Sequence, residues 1–144
     1  MSMELYVICR KPIVSTDNLQ SSIHDLGFDL KINTQRNVDE SSGHLSAEWK
    51  AREAGFELSP FPPEELSETY PESDFGGVWP HGYVLYFGTL AGCVSASIAA
   101  AALARATDGI VFDPQENAVM SADDAAAFAT ENEAHFARIA LATP

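Results

Sequence analysis

The most apolar stretch of the chain, residues 90–104, most constrains what it can fold into. It runs for about 15 residues and is interrupted by Gly92, Ser95 and Ser97, short of the roughly 20 apolar residues that a membrane span needs. Such a segment buries itself in its own protein. Leu90, Val94, Ile98 and Leu103, with Ala91, Ala102 and Ala106, recur at helical spacing and predict a core helix from about 90 to 106. It follows Tyr83-Val84-Leu85-Tyr86-Phe87, which is apolar on both faces and therefore predicts a central strand. A chain of 144 residues with 46% hydrophobic content supports one domain over 1–144 without a metal or disulfide staple.

The rest of the pattern alternates strands and helices. Residues 3–9 read as a strand rich in Val, Ile and Tyr. Ser15-Thr16-Asp17 offers cap chemistry for a helix carrying Leu19, Ile23 and Leu26, and Gly27 stops it. Phe28, Leu30 and Ile32 alternate with polar residues as a half-buried strand, and the polar residues 34–44 read as a loop. Residues 45–58 predict two strands flanking a turn near 52–55. Residues 59–82 carry five prolines and Gly76-Gly77, which predicts a long irregular excursion. After the core helix, Ile110-Val111-Phe112 is a short strand closed by Asp113-Pro114, and Ser121 caps a last helix with Asp123 and Asp124 in its first turn. The order β-α-β-(β-β)-β-α-β-α predicts an α+β fold. Its form is a ferredoxin-like sandwich with an antiparallel or mixed sheet, helices on one face, and a long Pro-rich insertion.

Eight basic residues against 21 acidic ones give a net charge of −13. That balance opposes binding to nucleic acid or to anionic membranes, both of which need Lys and Arg. The charge is uneven. Residues 1–52 hold six basic and seven acidic side chains, whereas residues 53–144 hold only Arg105 and Arg138 against 14 acids. Solubility alone accounts for a field of one sign. An acidic face that steers a basic protein partner is the sharper reading.

Little catalytic chemistry is visible. Cys9 and Cys93 lie in no CxxC or Cys/His metal spacing. Cys93 sits near a helix N-terminus, which can lower a thiol pKa, and His81 lies one strand away, so a Cys–His pair is conceivable; a small core residue explains Cys93 as well. Gly88 to Gly92 lacks the Lys-Ser/Thr of a phosphate-binding loop. The four histidines are scattered, and the i, i+4 pair Glu131/His135 supplies two ligands at most, so no metal or other cofactor is expected. Asp108 and Asp113 bracket a strand and are expected to end it through turn chemistry. The N-terminus lacks a basic and then apolar leader, which makes cytoplasmic the expected location.

The richest segment is 56–87, where aromatics interleave with carboxylates. Glu64, Glu65, Glu68, Glu72 and Asp74 form a candidate negative rim, and Tyr70 and Phe75 candidate anchors, for a protein partner. Phe61 and Trp79 are expected to pack inward, while Tyr70 and Phe75 stay at least partly exposed. The competing reading makes these aromatics the cover of an open sheet face.

The C-terminal half reads Leu103-Ala-Arg-Ala-Thr-Asp-Gly-Ile-Val-Phe-Asp-Pro-Gln-Glu116. This small-residue helix running into T-D-G-I-V-F-D-P-Q resembles small uncharacterised bacterial proteins, some of them immunity proteins of polymorphic-toxin systems. The likeness spans about a third of the chain and carries no catalytic residues across. It implies a non-enzymatic protein that binds and blocks a cognate toxin. Two other readings stay open: a small enzyme or small-molecule-binding domain with a pocket under the 59–82 loop, using Cys93, and a homodimer of structural role.

Overall fold

The computed structural model describes residues 3–13, 15–34 and 43–142. Most of the polar loop expected at 34–44 lies outside them. In chain order the elements are β1 (Met3–Cys9), α1 (Thr16–Asp25), β2 (Leu30–Ile32), β3 (Gly43–Leu45), β4 (Ala47–Trp49), β5 (Arg52–Glu53), β6 (Phe56–Pro60), α2 (Glu64–Thr69), β7 (His81–Phe87), α3 (Leu90–Thr107), β8 (Gly109–Asp113), β9 (Ala118–Ser121) and α4 (Ala122–Ala142). The class is α+β. Six strands form one sheet in the order β3-β6-β7-β1-β8-β9, and β2-β4-β5 form a small second sheet. Every pairing is antiparallel.

The middle of the large sheet follows from its side chains. β1 is buried at every position from Leu5 to Cys9, and β7 is buried almost throughout, so both faces of these strands must be covered. On one face Leu5, Val7, Leu85, Phe87 and Val111 meet α3, flanked by α1 and α4. Residues 94–104 of α3 are all buried. Their Ala and Ser side chains let neighbouring helices approach closely, and the outer side of α3 meets β4 and β5 of the small sheet. At 18 residues α3 is longer than the apolar stretch read from the sequence and reaches the length and apolarity of a membrane span, but 72% of it is buried inside the protein, as the central core helix. Thr89 caps it, its Oγ1 accepting the Gly92 N–H at 2.9 Å. Asp108 closes it in the left-handed conformation, φ 55°.

The small sheet is pinned through Trp49. Its ring meets Phe136 of α4 edge-on at 5.2 Å, and its Nε1–H donates to Glu133 at 2.9 Å. The β4–β5 hairpin turns at Lys50-Ala51, with φ 48° and 65°, a two-residue turn earlier than the one expected at 52–55. Positive φ at both positions normally recruits Asn-Gly. Neither residue is there, so nothing in the sequence marked the turn. The half-buried strand read after α1 is present as β2, and it joins the small sheet by pairing with β4.

The proline-rich stretch is more regular than expected. β6 extends to Pro60, and α2 forms between Pro63 and Tyr70. Pro62 and Pro63 precede the helix, where missing N–H groups cost nothing, and Pro71 follows its end, so the prolines bound a helix instead of preventing one. Segment 61–80 covers the second face of the large sheet, where Tyr6, Ile8, Val84 and Phe112 form a core with Leu66 and Phe75.

Candidate functional site

The cover segment places its acids and its aromatics on opposite sides. Leu66 is the buried residue of α2 and turns that helix onto the sheet, leaving Glu64, Glu65 and Glu68 exposed. Glu72 and Asp74 are exposed in the turns that follow, with Asp74 Oδ1 accepting the Gly76 N–H at 2.9 Å. No Lys or Arg occurs between Arg52 and Arg105, so these five carboxylates share a stretch free of basic residues.

The anchors behave differently. Phe75 is only 6% exposed, against the expectation that it stays partly open. Its ring stands perpendicular to Phe112 at 5.0 Å. The positive-φ residues Gly76 and Gly77 turn the chain back after it, and the Trp79 Nε1–H donates to the Phe75 carbonyl at 2.7 Å. Tyr70 is half-buried, edge-on to Phe112 at 4.9 Å. Phe61 packs on Tyr6 at 5.0 Å. Trp79 is half-buried beneath the Arg10 guanidinium, 4.5 Å from its ring centre. Covering the sheet is therefore the main work of these rings. The apolar side chain that the segment does present is Val78, 93% exposed, which sequence pattern alone did not single out.

A polar row crosses the same face of the sheet. His44 lies opposite Glu57, Glu57 opposite Tyr86, and Tyr86 opposite Glu4, and directly opposed residues project from one face. Burial raises the pKa of the Tyr6, Tyr70 and Tyr86 phenols, and the Glu4 charge raises each further. His44, Glu57 and Tyr86 line an open cleft of about 530 Å³. Among the described residues no three His, Cys, Asp or Glu side chains are grouped as a metal site.

The thiol reading needs correction. His81 faces Cys9 at one end of the sheet, whereas Cys93 enters α3 beyond Phe87 at the other end of β7. Seven residues of strand separate the two ends by about 20 Å, so no Cys–His pair forms. Cys93 also lies on the helix side of the sheet, away from the cover segment. Burial raises its thiol pKa, against a hydrogen bond with Ser97 that lowers it, and the Asp113 charge adds to the rise.

Cys93 does border a small cavity, of about 170 Å³, between β1, β7, β8, α3 and α4. Asp113, Asn132 and Phe128 share its lining. Asp113 is 4% exposed, and its Oδ1 accepts the Gln115 backbone N–H at 3.0 Å, the turn chemistry expected at the end of this strand. Glu131 and His135 are both exposed on α4, as solvated residues are. A Cβ on Gly92 would sit 2.9 Å from Thr89 Oγ1 and 3.3 Å from the Gly55 carbonyl, so close packing explains that glycine without a phosphate.

No family model, curated protein or solved structure matches this chain.

Proposed function

We propose that this chain is a non-enzymatic binding module that engages a basic protein partner through its acidic cover segment, in the manner of an immunity protein blocking a toxin. The observation that carries the reading is the five exposed carboxylates at 64, 65, 68, 72 and 74, on the same segment that exposes Val78. An apolar side chain on a segment whose charges are all of one sign suits a complementary protein surface. The order β6-β7-β1-β8, with α1 and α3 as the two connections on one face, supports a ferredoxin-like centre. On that reading 61–80 is an insertion between β6 and β7, and the small sheet, β9 and α4 are additions.

The test is kinetic. Basic proteins captured from the native host by the wild-type chain are measured for association at two salt concentrations. The triple variant Glu64→Gln, Glu65→Gln, Glu68→Gln is expected to associate about tenfold more slowly at low salt, with a flatter salt dependence and an unchanged melting temperature. Association of the triple variant at the wild-type rate, or capture of no basic protein, removes the reading.

A further inference from the structure

The cavity beside Cys93 combines one buried carboxylate with an apolar wall. Asp113 Oδ1 takes both the backbone and the side-chain N–H of Gln115. The Gln115 side chain is itself fixed, its Nε2 donating to the Glu4 carbonyl at 3.0 Å and its Oε1 accepting the Glu4 N–H at 3.2 Å. Asp113 Oδ2 is left without a hydrogen-bond partner among the described residues. Across the cavity, Asn132 spends its Nδ2 on Ser97 Oγ at 3.0 Å, and Ser97 spends its proton on the Cys93 carbonyl at 2.8 Å. Among the described residues no donor meets Asn132 Oδ1, so the polar lining, with the exposed Glu116 carboxylate at its edge, offers acceptors and one thiol, and lacks a cation.

A buried carboxylate is costly unless a donor or positive charge meets it. Among the described residues no basic side chain lines this cavity. Met3, Leu5, Phe87 and Phe128 form the apolar remainder. The volume of about 170 Å³ compares with the roughly 150 Å³ cavity that takes up benzene. We propose that this cavity binds a small primary amine with an apolar body, its ammonium placed between Asp113 Oδ2 and Asn132 Oδ1 and its body against Phe87 and Phe128. The inference stands apart from the partner-binding reading, because the cavity lies on the opposite side of the large sheet from the cover segment.

Benzylamine, toluene and benzoate are the probes, matched in ring and differing in charge. Binding is followed by the side-chain amide resonance of Asn132 and by protection of Cys93 from a thiol reagent; Cys9 is fully buried and serves as the internal reference. Benzylamine is expected to shift Asn132 and slow Cys93 labelling at concentrations at least tenfold below those toluene requires, with no effect of benzoate. Asp113→Asn should abolish that preference. Phe128→Trp, which fills the cavity from α4 and keeps Asp113, should block benzylamine as well, so a failure of the first variant to fold leaves the test intact. Equal responses to toluene and benzylamine, no response to either, or benzylamine binding that persists in folded Asp113→Asn or Phe128→Trp overturns the proposal.

Discussion

Phe75 is where burial and surface charge meet in the cover segment, and Phe75→Ala measures whether that segment is held as described. The ring is 6% exposed and stands at 88° to Phe112. Truncating a buried Phe to Ala costs about 3–5 kcal/mol, a range that already includes the edge-to-face contact. A void of about 120 Å³ between Phe75, Trp79 and Ile8 already loosens one side of the site, and a surface segment can settle into the space. The lower end, about 3 kcal/mol, is therefore expected. Unfolding entropy near 2.1 cal/mol/K per residue over 144 residues is about 0.3 kcal/mol/K, so Tm should fall by about 10 °C. Phe75→Leu keeps most of the apolar volume and should cost about 1 kcal/mol, or about 3 °C. Thermal unfolding followed by circular dichroism reads both. A Phe75→Ala chain melting within 3 °C of wild type would mean that the ring swings out in solution, and the division of the segment into an aromatic inside and an acidic outside would fail.

Two further outcomes follow from the same structure. Burial raises the pKa of the Tyr6, Tyr70 and Tyr86 phenols and of both thiols, so the folded state favours their neutral forms. Stability is then full below the unfolded thiol pKa of about 8.5 and is lost as pH rises past it, more steeply beyond about 10 where unfolded tyrosines ionise; urea midpoints should trace this fall, Tyr6→Phe should flatten its upper part, and a midpoint constant to pH 10.5 contradicts it. Ala51→Gly removes the left-handed strain at φ 65° while keeping Lys50 5.3 Å from the Trp49 ring, and should raise Tm by about 2–3 °C, for about 0.5–1 kcal/mol; a lowered Tm would show that the turn is not left-handed there.

What was legible in the sequence was local. The Ser15 cap, whose Oγ accepts the Asn18 N–H at 3.0 Å, and the Ser121 cap, which accepts the Asp124 N–H at 3.1 Å, stand where side-chain chemistry put them. The central strand at His81–Phe87 and the core helix after it were readable because an apolar run leaves few alternatives. What escaped depends on partners distant in the chain. β2 alternates as any half-buried strand does, and only its pairing with β4 removes it from the large sheet. Phe75, flanked by an acid and two glycines, looks exposed until Phe112 is brought beneath it. The cavity at Asp113 draws on β1, β7, β8, α3 and α4, and no spacing within any one of them signals it.

The acids of α2 bear on whether the cover segment does more than cover. Six residues are too few for a helix to hold itself in water, so α2 depends on Leu66 beneath it and on the turns that carry Phe75. Glu64 and Glu65 sit in the first turn, where they complement the helix dipole. Glu68 has no such benefit. It lies four residues after Glu64, a like-charge spacing that costs about 0.2–0.5 kcal/mol, and the exposed Glu72 and Asp74 extend the same sign beyond the helix. A cover serving only the sheet would gain from Lys or Gln at position 68, because the side chain there is exposed. Charge kept on one sign at a small cost in stability is what electrostatic steering of a basic partner requires. Glu68→Lys therefore separates the two roles: it should leave the fold as stable or slightly more stable, and slow association with a basic partner more than Glu68→Gln does.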